Sequence, residues 1–351
     1  MKLAILAVTN RGAYLAEKIA QNFTNYDIFV KNGRNPLNYG YEYTSLRELM
    51  PRIFAEYDAL VFIMAAGIAV RVIAPYIQDK RTDPAVVVAG EDGRHVISLL
   101  SGHIGGANEL AGTIAENIGA TAVITTATDL GNQPAADVLA VKLGLKIEPF
   151  ACLKHINAAA ANGEKITFFL DQALPHSSVY HQQAKKLGVP LEEMNNAGLS
   201  SGDHAAVVIT DQCLDLTRPH LFLRPPTLAV GIGCRRGTAE AEITGAARTA
   251  CASIGRSLSS VAVIGSTTLK QDEDGLLAAA QTLEVPIKFY DNAQLSAVIE
   301  KYQLDVSNFV NDKIGVGNVC EAAALLASQT SGLLLPKTKF SKVTIAIAQV
   351  K

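Results

Sequence analysis

The chain has 351 residues, 49% of them hydrophobic and 18% charged, with a formal net charge of -2. That length exceeds what one hydrophobic core ordinarily serves, so two or three domains are expected, and the composition excludes a disordered chain. The near-neutral charge speaks against a non-specific nucleic-acid surface, which needs clustered Lys and Arg.

The opening MKLAILAVTNRG is apolar for too few residues to be a signal peptide and reads as a first strand. No later apolar run reaches a membrane span. The five cysteines (Cys152, Cys213, Cys234, Cys251, Cys320) are scattered and contain no C-x-x-C pair, which points to a reducing cytoplasm. The histidines show no i, i+4 pair and no Cys neighbour, so no protein-held metal site is expected.

In chain order, residues 2–8, 27–30, 59–64, 85–89 and 121–126 read as strands, apolar without strict alternation, as buried parallel strands are. Small-residue helical patterns alternate with them, which predicts an α/β fold with a mainly parallel N-terminal domain. The stretch SLLSGHIGGANELAGTIAENIGA (98–120) contains a clear helix from Gly106 to Ile118. Leu110, Ile114 and Ile118, with Ala107, Ala111 and Ala115, form its one apolar face. Asn108 and Glu109 fall in its first turn, off that face. A bend at Gly105-Gly106 would bring His103 toward Glu109, although a lone His beside a helix start is more often a structural hydrogen-bonder.

From Ala140 the pattern loosens. Residues 164–170 and 204–210 look like strands, with an aperiodic segment between them, and Arg224-Pro225-Pro226 reads as a linker. The expected division is therefore 1–139, a variable middle α/β region at 140–226, and a smaller C-terminal α/β domain at 227–351.

That last part opens with a strand running into Gly231-Ile232-Gly233-Cys234-Arg235-Arg236-Gly237 and a helix over 238–254. The G-x-G-x-x-x-G spacing is one residue longer than the dinucleotide fingerprint, and no acidic residue ends the next strand to hold a ribose. Two readings stay open: an anion site using Arg235 and Arg236, or a tight strand-to-helix turn. Further on, Lys270-Gln271-Asp272-Glu273-Asp274-Gly275 reads as an acidic helix start, with Lys270 placed to meet a carboxylate. Asn318 and Glu321 have capping-box spacing, which explains Glu321 structurally; a substrate contact is the other reading. In the N-terminal domain Arg71, Lys80, Asp83 and Asp129 flank strand ends, where open α/β sheets bind ligands, or form surface ion pairs.

Three blocks, MAAGIAVRVIAPYIQDKRTDPAVVV, ISLLSGHIGGANELA and VITTATD, resemble the N-terminal part of the CbiG family of cobalamin biosynthesis, the cobalt-precorrin-5A hydrolases. LAVGIGCRRGT, TTLKQDEDGL, VGNVCEAAALL and LLLPK resemble its CbiG/CobE-like C-terminal domain. The resemblance spans both ends, with the middle as the family's variable segment. The loop VSNFVNDKIG departs from it by lacking a proline.

The resemblance implies a cytoplasmic hydrolase that opens the δ-lactone of a cobalt-corrinoid with water and releases acetaldehyde. It implies no cofactor, since cobalt travels with the substrate, and it leaves room for a homodimer and for transient contact with neighbouring pathway enzymes. Nucleic acid and membrane are not expected partners. A non-catalytic carrier of the corrinoid intermediate is the competing reading.

Lactone opening needs a base and oxyanion donors. His103 is the candidate base, Glu109 its orienter or a proton donor to the ring, and Ser101 with the Gly105 and Gly106 amides the donors. Gly67, Arg71, Lys80, Asp83, Asn108 and Asp129 are the N-terminal candidates for substrate binding. Gly231, Gly233, Arg235, Lys270, Glu273 and Glu321 are the C-terminal ones, in a cleft expected between the two end domains.

Overall fold

The computed structural model of the protein describes all residues except 80–81, 126–135, 196–197, 200–203 and 308–314. The chain divides into two compact units, Met1–Val141 and Lys142–Lys351. Among the described residues no helix is long and apolar enough to cross a membrane.

The first unit runs β1 (Leu3–Ala7), α1 (Asn10–Ala20), β2 (Tyr26–Lys31), β3 (Tyr41–Tyr43), α2 (Leu46–Glu56), β4 (Ala59–Ile63) and α3 (Ala66–Ile73). It continues with β5 (Ala85–Ala89), β6 (His95–Leu100), α4 (Ala107–Ile118), β7 (Thr121–Val123) and α5 (Ala136–Leu143). Its seven strands lie in the order β3-β2-β1-β4-β5-β6-β7. Every residue of β1, β4 and β5 is buried, because helices cover both faces, and this is why their sequences show no alternation. A buried Leu60 or Phe62 contributes roughly 1.5–3 kcal/mol.

One reversal positions the candidate site. Strands β1 to β5 run parallel, but β6 returns antiparallel to β5 through a tight turn, with Gly93 at φ 68 and Gly90 N–H bonded to His95 O at 3.1 Å. The unit β6-α4-β7 then forms a parallel crossover of its own. Since Leu100 pairs with Val86, the carboxyl end of β6 lies at the edge of the sheet where β5 begins. Helix α4 starts at Ala107, one residue inside the predicted boundary, because Gly106 takes the cap position at φ 85; Leu110 and Ile114 bury its apolar face.

The second unit holds two sheets. The middle one comprises β8 (Lys146–Glu148), α6 (Leu153–Ala161), β9 (Ile166–Leu170), α7 (Ser177–Lys186), β10 (Leu191–Glu193), β11 (Ala205–Ile209) and β12 (His220–Arg224), with strand order β10-β9-β11-β12-β8. The stretch without sequence periodicity thus contains a regular helix, α7, whose mostly polar exposed face leaves only Ala184 buried.

The last sheet comprises β13 (Leu228–Cys234), α8 (Glu240–Ser253), β14 (Val261–Thr267), α9 (Asp274–Thr282), β15 (Ile287–Tyr290), α10 (Asn292–Tyr302), α11 (Val319–Ser328), β16 (Leu333–Lys339) and β17 (Val343–Gln349), in the order β15-β14-β13-β17-β16. Its β17 and β16 are antiparallel additions to a parallel half. The chain is thus a three-sheet, mostly parallel α/β protein.

A polar seam joins these two sheets. Glu148 accepts from Arg224 Nε at 2.5 Å, Ser257 Oγ at 2.8 Å and Ser259 Oγ at 2.9 Å. Asp211 accepts from Arg256 at 2.5 Å and Thr227 Oγ1 at 2.7 Å. Burial pushes the Glu148 carboxyl up, but these hydroxyl and guanidinium partners outweigh it and hold the group below its ordinary value. Arg224, expected in a linker, is instead the last residue of β12 and is buried; the chain passes Pro225-Pro226 into Thr227, which bonds Ser260 O.

Candidate functional site

The loop between β6 and α4 is a compact structure that its own sequence enforces. Ser101 adopts φ 56, a left-handed conformation that a non-glycine residue holds only under constraint. The constraint is visible: Ser101 Oγ donates to Asp83 O at 3.1 Å, and Ser101 O accepts from Ala107 N at 3.1 Å. Gly102 O accepts from Asn108 N at 3.0 Å, and His103 O from Gly106 N at 3.1 Å. A side chain at Gly105 would overlap Ser101, its Cβ lying 2.8 Å from Ser101 O; one at Gly102 would lie 2.7 Å from Asn108 Oδ1. These two glycines let the chain fold back on itself, while Gly106 supplies the left-handed cap.

His103 sits within this loop with Nδ1 at 3.1 Å from Asp137 Oδ2, both side chains nearly buried. Asp137 lies in the first turn of α5, and its Oδ1 accepts from Val138 N at 3.0 Å. Sequence reasoning named Glu109 as the partner of His103. The carboxylate on Nδ1 is that of Asp137, whereas Glu109 is exposed in the first turn of α4. The helix places Glu109 two residues beyond the first buried position, on the solvent side.

The donor roles are also redistributed. The Ser101 hydroxyl and the Gly106 N–H, both expected to face an oxyanion, bond within the protein to Asp83 O and His103 O. Closing the loop requires them, since buried backbone carbonyls need partners. Gly105 N–H has no acceptor among the described residues and lies two residues from His103, beside the positive end of α4. Asn108 Oδ1 accepts from Ser98 Oγ at 2.6 Å and so braces the loop.

Other N-terminal candidates divide. Asp83 is buried, and both its carboxylate oxygens accept Gln78 N–H, at 3.1 and 3.0 Å, so it holds the approach to β5. Gly67 follows the carboxyl end of β4, at the sheet edge opposite Ser101, so the two do not share a site. Arg71 is exposed and donates to Gly67 O at 3.2 Å, one turn back on its own helix. Lys80 and Asp129 lie outside the described residues.

The C-terminal glycine turn has a different purpose. A Cβ on Gly231 would overlap the carbonyl oxygen of Cys320, and one on Gly265 would lie 2.6 Å from Ala323 O. Both glycines let the alanine-rich helix α11 lie directly on β13 and β14. A Cβ on Gly233 would lie 2.7 Å from Thr344 Oγ1 on β17. They are packing glycines, and the anion-cradle reading of Gly231 and Gly233 fails on this geometry.

The acidic residues nearby are engaged too. Glu273 is buried and accepts from Gly237 N at 2.5 Å and Lys270 Nζ at 2.9 Å, so Lys270 meets a carboxylate of its own chain. Burial raises the Glu273 carboxyl, yet the Lys270 and Gly237 bonds and the charges of Lys270 and Arg236 hold it below the usual range. Glu321 is buried between the Asn318 side-chain amide and Lys337 N at 2.7 Å. Only half of the predicted capping box forms: Asn318 Oδ1 accepts Glu321 N at 3.3 Å, while the Glu321 carboxylate turns to β16. Arg236 pairs with Asp272 at 3.1 Å on the surface. Arg235 is exposed, and its guanidinium has no protein partner among the described residues. Among the described residues no cluster of three or more His, Cys, Asp or Glu is arranged to hold a metal.

Comparison with known proteins places this geometry in a family. The family description Cobalamin synthesis G N-terminal matches residues 48–129, Cobalamin biosynthesis central region matches 134–225, and Cobalamin synthesis G C-terminus matches 228–348. The chain is 32% identical to the cobalt-precorrin-5A hydrolase of Priestia megaterium over 99% of this chain and 94% of that protein. It is 35% identical to the cobalt-precorrin-5A hydrolase of Salmonella typhimurium over 96% of this chain and 94% of that one. A crystal structure of a putative cobalamin biosynthesis protein G homolog from Sulfolobus solfataricus aligns with 100% of this chain and 97% of that chain, at 19% identity and a TM-score of 0.39. With matches along nearly its whole length, the chain belongs to the CbiG family of cobalamin biosynthesis.

Proposed function

We propose that this protein is a cobalt-precorrin-5A hydrolase of anaerobic cobalamin biosynthesis: it opens the δ-lactone of the cobalt-corrinoid with water and releases acetaldehyde. The observation that carries it is near-full-length identity above 30% to two bacterial proteins of that name. The loop at 101–108 supplies the chemistry that such a reaction requires.

In the scheme we favour, His103 takes a proton from water as the water oxygen bonds to the lactone carbonyl carbon. The tetrahedral oxyanion is stabilised by the Gly105 N–H and the positive end of α4. Collapse of the intermediate breaks the ester C–O bond, leaving a carboxylate on the ring and a secondary alcohol that receives the proton. The same base then removes that hydroxyl proton, the C–C bond breaks toward the macrocycle, and acetaldehyde departs as a ring carbon gains a proton. One water is consumed and no electrons leave the system.

No organic cofactor enters this scheme, and cobalt belongs to the substrate. The guanidinium of Arg235, which has no partner among the described residues, offers a contact for a peripheral carboxylate of the corrinoid. A cytoplasmic setting fits five free cysteines.

Incubating the purified chain with cobalt-precorrin-5A and measuring acetaldehyde through a coupled NADH-consuming dehydrogenase tests the proposal. Acetaldehyde in molar equivalence with consumed substrate is expected. A bound substrate whose lactone survives would identify a carrier instead.

A further inference from the structure

His103 and Asp137 are 34 residues apart and meet only in the folded chain, with Nδ1 to Oδ2 at 3.1 Å. Their side chains are 10% and 5% exposed. An ionised carboxylate can only accept, so this bond requires the imidazole proton on Nδ1, and in the neutral ring the lone pair is then on Nε2.

The Asp137 side chain is held from a second side, and the backbone at His103 is held as well. Asp137 binds its own helix through Oδ1 and Val138 N–H, in a first turn where the helix dipole favours negative charge. His103 is tied at its carbonyl by Gly106 N, inside a loop that Gly102 and Gly105 make compact. The Asp137 carboxylate cannot turn away without breaking a second contact, and the backbone that carries His103 is held in place.

From this geometry we infer that Asp137 is the positioning residue of the site. It holds His103 in the Nδ1–H tautomer, aims Nε2 at the water, and stabilises the imidazolium formed when Nε2 takes a proton. The proton moves from water to Nε2 and onward to the departing alcohol oxygen; Asp137 stays ionised throughout. Little solvent reaches the pair, so the charge acts at closer to its full strength than on the surface. The inference rests on His103 being the base of the proposed hydrolase.

Two measurements test it. The first is the tautomer: imidazole 15N spectra of the full chain, with the His103 signals assigned by their loss in His103→Gln. The expected result is a protonated Nδ1 and a bare Nε2; a proton on Nε2 overturns the inference whatever the activity. The second is kinetics of acetaldehyde release. Asp137→Asn, whose amide no longer selects the tautomer, is expected to lower kcat by about a hundredfold with KM within about twofold. Asp137→Glu, which keeps the charge, is expected to retain more of kcat than Asp137→Asn.

A fall of less than about tenfold in Asp137→Asn, or equal losses in the two variants, overturns the positioning role. If Asp137→Asn fails to fold, the wild-type tautomer and the Asp137→Glu kinetics decide. Wild-type protein that releases no acetaldehyde would refute the hydrolase reading, while the tautomer still judges the pair.

Discussion

Two regions of this chain look alike in sequence and do opposite things. Both the stretch from Ser101 to Glu109 and the stretch from Gly231 to Gly237 end a strand, crowd glycines together and lead to a helix. In the first, the glycines fold a loop tightly enough to hold a histidine against a buried carboxylate and to leave Gly105 N–H without an acceptor among the described residues. In the second, Gly231 admits helix α11 onto the sheet, and the neighbouring acid Glu273 is consumed by Gly237 and Lys270. A glycine signals close approach; only the atom being approached tells whether the purpose is chemistry or packing.

The largest separation between the two regions is expected from His103→Gln. It should lower acetaldehyde release by about a hundredfold to ten-thousandfold, the range of a lost general base, while the glutamine amide, which can still donate to Asp137, keeps the chain folded. Activity within tenfold of wild type would move the chemistry elsewhere. Gly231→Ala should do the reverse. Its Cβ meets helix backbone, which cannot rotate aside, so a loss of about 2–3 kcal/mol is expected in denaturant unfolding. An unaltered unfolding midpoint would mean that α11 does not press on β13.

A smaller effect is expected with acid. The Glu273 carboxyl is held below its ordinary value in the folded chain, so it stabilises the fold above the unfolded value of about 4.3. That contribution fades as pH falls through the lower folded value. Glu148 behaves alike at the seam. Thermal melts from pH 7 to 3 should therefore show a loss beginning near about pH 4, and Glu273→Gln should flatten part of that slope. A slope identical to wild type would show that Glu273 gains nothing from its partners. Smallest of all is Arg235→Ala: stability within about 0.5 kcal/mol, as for an exposed side chain. KM should rise severalfold if Arg235 meets a substrate carboxylate, and an unchanged KM would remove it from the binding surface.

Much of the fold could be read from periodicity. Fully apolar runs located β1, β4 and β5, and the four-residue recurrence of Leu110, Ile114 and Ile118 located α4. Strand β6 escaped because its later residues are only partly buried and its pattern is weak, although Asp92-Gly93 ahead of it is a hairpin signal. Missing β6 concealed the sheet reversal, and with it the edge on which the candidate loop lies.

His103 was legible as a candidate. Its partner was not, since Asp137 sits in an ordinary helical stretch and only tertiary folding delivers it. Asp83 and Glu321 were legible as polar residues near strand ends, but their backbone hydrogen bonds were not, because Gln78 and Lys337 offer main-chain donors that carry no sequence signal.

The polar seam between the last two sheets bears on how the chain can be divided. Cutting at Pro225-Pro226 would leave Glu148 with Arg224 on one fragment, and Ser257, Ser259, Arg256 and Thr227 on the other. Asp211 would lose both its side-chain donors in one stroke. Separately expressed halves would each display an orphaned half of this network, whose groups would then have to turn to water. The diproline looks like a place to split the gene, and the two carboxylates stranded on its N-terminal side attach a cost to doing so.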